Sequence, residues 1–109
     1  MRKTGTVVSL NGNPVEVRWL EGRIRRVERE QGQSRTGIFY GNLQERIRIH
    51  LQVDANCLDE HNPSDFSSKE IEFWSDAQKE ALEGLDLSEG ARVAIAIGKN
   101  MIPWAAKQL

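Results

Sequence analysis

Ile47, Ile49, Leu51 and Val53 alternate with Arg46, Arg48, His50 and Gln52 over eight consecutive residues. A helix, with 3.6 residues per turn, scatters such a pattern around its axis; a strand sends every second side chain to one face. The four apolar residues therefore enter a core, and the three basic ones and Gln52 meet water or a partner together. A one-residue slip would reverse both faces, so this stretch fixes the register of whatever sheet contains it. The chain is 109 residues long, which is one domain spanning residues 1–109.

The same period recurs elsewhere. Thr4-Gly5-Thr6-Val7-Val8-Ser9-Leu10 is rich in β-branched residues, and Asn11-Gly12-Asn13-Pro14 after it is a turn by composition. Val15, Val17 and Trp19 alternate with Glu16 and Arg18 as a half-buried strand. At Glu21-Gly22 two readings stand: a tight hairpin, or one long strand with a bulge at Gly22. Ile24 and Val27 among Arg23, Arg25, Arg26 and Arg29 make a weakly buried, strongly basic edge or protruding strand. Residues 31–37 contain two glycines and no apolar residue, so an exposed mobile loop is expected there, with a strand resuming at Ile38-Phe39-Tyr40. Val93, Ile95 and Ile97 form a last buried strand, and Met101-Ile102-Pro103-Trp104 packs at the domain's edge. Val7, Val17, Ile47, Ile49, Leu51, Val93, Ile95 and Ile97 are the expected buried set.

Residues 54–66 read as a polar loop. After it, Ser67 with Glu70 offers a capping box for a helix through Ile71, Trp74, Ala77, Ala81 and Leu85. A competing reading makes residues 70–74 a short strand and starts the helix at Ser75, with Gln78 completing the box. Both readings agree on a helix over 76–83. The order is four or five strands, a helix, then one or two strands. It predicts a mainly β domain: a small barrel with one helix before the final strand, or alternatively an α+β sheet covered by one helix.

Leu87-Ser88-Glu89-Gly90-Ala91-Arg92-Val93-Ala94-Ile95-Ala96-Ile97 resembles the L-x-x-G-x-x-V-x-x-x-I strand entry of OB-fold proteins, among them cold-shock and TOBE-type domains. Thr4-Gly5-Thr6-Val7-Val8 is similar to a first OB strand. The resemblance covers the two ends of the chain and implies an OB-like barrel. It implies no activity: the aromatic run of cold-shock proteins is absent, and isoleucines stand at 47 and 49.

Charge divides the chain. Residues 1–50 hold ten Lys/Arg against five Asp/Glu; residues 51–109 hold five against eleven. Nine of the ten arginines lie in the first half, four of the five lysines in the second. Arginine's planar fork suits phosphate and carboxylate, whereas lysine is a solvated point charge. Arg18, Arg23, Arg25, Arg26, Arg29 and Arg35, joined by Arg46, Arg48 and His50, are the candidate binding surface, with Trp19 and Tyr40 as aromatic neighbours. Two function classes follow. One is a binding module for single-stranded nucleic acid, DNA or RNA. The other is a protein-interaction or regulatory module that meets an acidic partner or the acidic face of its own copy. Glu16, Glu21, Glu28 and Glu30 interleave the arginines, and cross-strand pairing by them would weaken the basic field.

The remaining residue patterns exclude more than they suggest. His50, Cys57 and His61 with Asp54, Asp59 and Glu60 have no common metal-site spacing, and one cysteine forms no intrachain disulfide. Neither a metal nor a cofactor is assigned. No Gly-rich phosphate loop, G-x-S-x-G or H-E-x-x-H is present, so no enzyme is expected. No run reaches the ~20 apolar residues of a spanning helix, and no apolar segment follows the N-terminal charges. A cytoplasmic protein without a membrane partner is the expectation.

Overall fold

The computed structural model describes residues 3–9, 11–33 and 43–109, and it organises them around one long strand. That strand, β2 (Pro14–Gln33), runs through Glu21-Gly22 without turning. Its first half pairs antiparallel with β1 (Lys3–Val8), across a turn in which Gly12 has φ of 80°. Its second half pairs with β3 (Leu43–Val53), and its middle with β5 (Arg92–Ile97). Trp19 is opposite both Lys3 and Ala96, and Gly22 opposite both Val53 and Val93. One edge of β2 therefore carries β1 and then β3, and the other carries β5. β4 (Ser68–Phe73) extends the sheet beyond β3, and β6 (Pro103–Gln108) extends it beyond β5. The order is β4-β3-β2-β5-β6, with β1 added to β2. The edge strands β4 and β6 approach each other, but no ladder joins them, and the sheet is not closed into a barrel.

Alternation does what the pattern in β3 requires. Ile47, Ile49, Leu51 and Val53 are buried and pack with Leu20 and Ile24 of β2, Ile71 and Phe73 of β4, and Val93, Ile95 and Ile97 of β5. Leu82 and Cys57 close this core from the segments between strands. One residue of the expected buried set departs from it. Val7 is only half-buried. Val17 is buried as expected but lies outside the main cluster, because it is three positions from Leu20, an odd offset that points the two to opposite faces. Ala94 and Ala96 also sit on that second face and are fully buried, with Trp19 opposite Ala96 and the Lys107 ammonium 4.8 Å above the Trp19 ring.

Gly22 is not the bulge. A Cβ there would lie 2.1 Å from the Gln52 carbonyl oxygen, so glycine is required by the close passage of β3. The register shift falls between Ile24 and Arg26, which makes Arg25 the extra residue. Residues 70–74 follow the strand reading up to Phe73, and the helix predicted from Ser67 does not form. α1 (Asp76–Glu80) starts at Ser75, whose Oγ accepts from the Gln78 amide while Gln78 Oε1 accepts from the Ser75 amide. The helix is one and a half turns, and further turns carry the chain to Gly84, at φ 77°. Residues 31–33 continue the β2–β3 ladder rather than loop. The remainder of the expected mobile loop, the strand at 38–40, and the site candidates Arg35 and Tyr40 lie outside the described residues. No helix among the described residues is long and apolar enough to cross a membrane.

Candidate functional site

The outer face of β2, β3 and β4 carries three parallel rows of charge. β3 contributes Arg46, Arg48 and His50 by strict alternation. The antiparallel registers set Glu30, Glu28 and Arg26 of β2 opposite them on one side, and Glu72 and Glu70 of β4 opposite Arg48 and His50 on the other. Arg46 donates to Glu30 at 2.6 Å and lies 3.5 Å from Glu72. Arg48 donates to Glu72 at 3.2 Å, with Glu28 and Glu30 at 3.6 and 3.7 Å. His50 Nε2 is 2.6 Å from Glu28, its Nδ1 is 3.4 Å from Glu70, and Arg26 pairs with Glu28 at 2.7 Å. The Arg46 guanidinium also covers the Trp74 ring at 4.7 Å, and the Trp74 indole N–H donates to Glu72 at 2.8 Å.

The cationic row is thus sandwiched between carboxylates. Arg46, Arg48 and His50 share one face, as predicted, but they are not openly exposed together: their side chains retain 20%, 21% and 17% of full accessibility. The His50 hydrogen bond holds the Glu28 carboxyl below its ordinary pKa against slight desolvation, aided by Arg26 and Arg48. Burial pushes Glu72 up, but the Trp74 hydrogen bond and the Arg48 and Arg46 charges outweigh it, and its pKa is also lowered. Both glutamates therefore stay ionised into acid and hold the arginines in place.

The other candidates are distributed by the strand's geometry. Arg18 shares the side of β2 that bears Leu20. It donates to the Cys57 carbonyl at 3.1 Å and to Asp65 at 2.5 Å, tying the loop over residues 54–66 to the sheet. Trp19 lies on the outer side but seven residues from Arg26, about 20 Å along the strand, and beneath Lys107. Arg29 pairs with Glu45 on the reverse side of the β2–β3 ribbon. Arg23 and Arg25 are exposed and have no carboxylate partner among the described residues. Glu70, Glu72 and Trp74 were outside the sequence-derived site. Their signal was present in the alternation of Glu70 and Glu72 with Ile71 and Phe73, but a helical spacing competed with it. Among the described residues, no three His, Cys, Asp or Glu side chains come together in a metal-holding group.

Two grooves border this face. One, of about 600 Å³, lies at the Arg25 bulge. The other, of about 350 Å³, runs between Trp74 and the β5–β6 connection, where Asn100 and Met101 both adopt the left-handed region at φ 60° and 61°. Two adjacent non-glycine residues in that region are strained, a feature that concentrates at functional sites. Comparison with protein-family models, with curated proteins and with solved structures finds no match.

Proposed function

We propose that the chain is a small OB-like binding module that takes single-stranded nucleic acid, DNA or RNA, across the outer face of β2, β3 and β4. The strand succession supports the OB-like part. Leaving β1 aside, β2 pairs with β3 and β5, β3 with β4, and β5 with β6, and α1 falls between β4 and β5. That is the order of a five-stranded Greek-key barrel left open at one seam, here the one between β4 and β6. In such barrels oligonucleotides lie on the face of the second and third strands and against the loops beside it. On this chain that face is β3 and β4.

The observation that carries the reading is the row Arg46, Arg48, His50, stepping about 6.6 Å per cation, with Arg26 beside it and Trp74 at its end. A regular ladder of guanidinium groups suits an extended polyanion, and an aromatic ring at the margin offers a base a stacking partner. The carboxylates set the strength. Each phosphate that reaches Arg46 or Arg48 displaces Glu28, Glu30 or Glu72, so affinity is moderate and falls steeply with salt. One observation favours the second reading, a protein-interaction module: Val8, Ile102 and Trp104 are 72%, 41% and 39% exposed and border a common groove beside α1.

Fluorescence anisotropy with a labelled single-stranded oligonucleotide separates the two. Nucleic-acid binding predicts saturable association at low salt that the double variant Glu28→Gln/Glu30→Gln tightens, because its competing charges are gone. An interaction module predicts no association by either protein.

A further inference from the structure

The bulge in β2 sets Arg25, which the ladder of ion pairs leaves unused, beside the donors at the ladder's end. We propose that the groove at this bulge is a phosphodiester-binding subsite with Arg25 as its anchoring cation. The inference takes from the proposed function only the source of the phosphate, a nucleic-acid backbone.

Ordinary alternation after the inward-facing Ile24 would send residue 25 outward and residue 26 into the core. The extra residue lets Arg26 sit opposite His50 and leaves Arg25 exposed beside it. Bulges are a recurrent means of re-aiming a side chain next to a site. Arg25, Arg26, His50, Gln52 and Ser68 all line the groove of about 600 Å³. This is a concentration of nitrogen and hydroxyl donors on one small concavity. Arg26 pairs with Glu28, whereas Arg25 has no carboxylate partner among the described residues. Its charge is available to an incoming anion without displacing a glutamate.

A planar guanidinium fork matches two oxygens of a phosphate, and the neighbouring donors can take the others. Glu70 and Glu89 also line the groove. Two carboxylates penalise a dianionic terminal phosphate more than the single charge of a diester, so an internal phosphate of a strand is favoured over a phosphorylated end. Arg23 is a matched control: it is exposed, on the same strand and without a carboxylate partner among the described residues, but does not line the groove.

The test is a titration of the full ¹⁵N-labelled chain with a thymidine hexamer, with and without a 5′-phosphate, following arginine Nε–Hε signals. The Arg25 signal is expected to shift saturably and equally with both hexamers. Arg25→Ala is expected to weaken binding roughly fivefold, and Arg23→Ala less than about twofold. Equal effects of the two variants overturn the subsite, as does a hexamer that shifts Arg46 and Arg48 but not Arg25; in both cases the nucleic-acid reading survives. A preference for the phosphorylated hexamer contradicts the diester assignment. If no signal on the face responds to either hexamer, the nucleic-acid reading fails instead. Inorganic phosphate then decides the groove: saturable shifts confined to Arg25 and Arg26 keep it as an anion site, and none overturns it.

Discussion

Asp65 shows how a single side chain can organise a loop that has no apolar pattern. Burial disfavours its charge, but the Asp59 amide, Lys69 and Arg18 more than compensate and bring its pKa to about 2. Its oxygens lie 2.5 Å from both Arg18 and Lys69, and its side chain is only 5% exposed. Because the folded pKa is depressed, the stabilisation is fully present above the ordinary value of 3.8 and is lost as pH falls through about 2. The shift corresponds to about 2 kcal/mol. Asp65→Asn is expected to lower stability at pH 7 by about 2–3 kcal/mol, and to flatten the pH dependence of denaturant unfolding between about pH 4 and pH 2. Gly22 is the backbone counterpart. Gly22→Ala places a methyl group 2.1 Å from the Gln52 carbonyl, and urea unfolding should report a loss of about 2–4 kcal/mol. Neither role was legible in the residues alone. Asp65 sits in a run of polar residues, and Gly22 resembles any turn glycine until the strand that passes it is known.

At the scale of elements, strands announced themselves wherever one face is apolar and the other polar, as in β3. They were ambiguous where a second pattern overlapped. Ile71, Trp74 and Ala77 keep helical spacing by chance, while Ile71 and Phe73 keep the strand period that β3 enforces by pairing. Tertiary pairing chose between them, and the Ser75–Gln78 capping box marked the true helix start. Ser75→Ala should cost about 1 kcal/mol and reduce hydrogen-exchange protection of α1 without affecting β3. β2 was harder to delimit. Its alternation is interrupted at Arg25, and its end at residues 31–33 is polar in sequence, with no apolar period to reveal a strand; the ladder to β3 continues through it. The charged rows were half legible. Arg46, Arg48 and His50 share a face by period, but their neutralisation by Glu28, Glu30 and Glu72 depends on the registers of two partner strands. Arg48 touches three carboxylates. Arg48→Ala is therefore expected to cost about 1 kcal/mol, at the upper end for exposed ion pairs, measured by thermal unfolding at low salt.

Across the whole molecule, a six-stranded sheet curves until its edges β4 and β6 approach, with the core on one side and the charge network on the other. The division of charge along the chain does not become a division between two faces. Acidic Glu70 and Glu72 from the second half are interleaved with the arginines of the first. The face is thus a ladder of cations held ready by displaceable carboxylates, and salt dependence is its most direct signature. The deciding measurement is the affinity for a labelled single-stranded oligonucleotide, by anisotropy, over a series of salt concentrations, for the native chain and for Arg26→Ala/Arg48→Ala. The proposed function predicts a log–log slope that is negative for the native chain and shallower by about 0.7 for each contact removed in the variant. Equal slopes for the two proteins, or no binding by the native chain at the lowest salt, would contradict it.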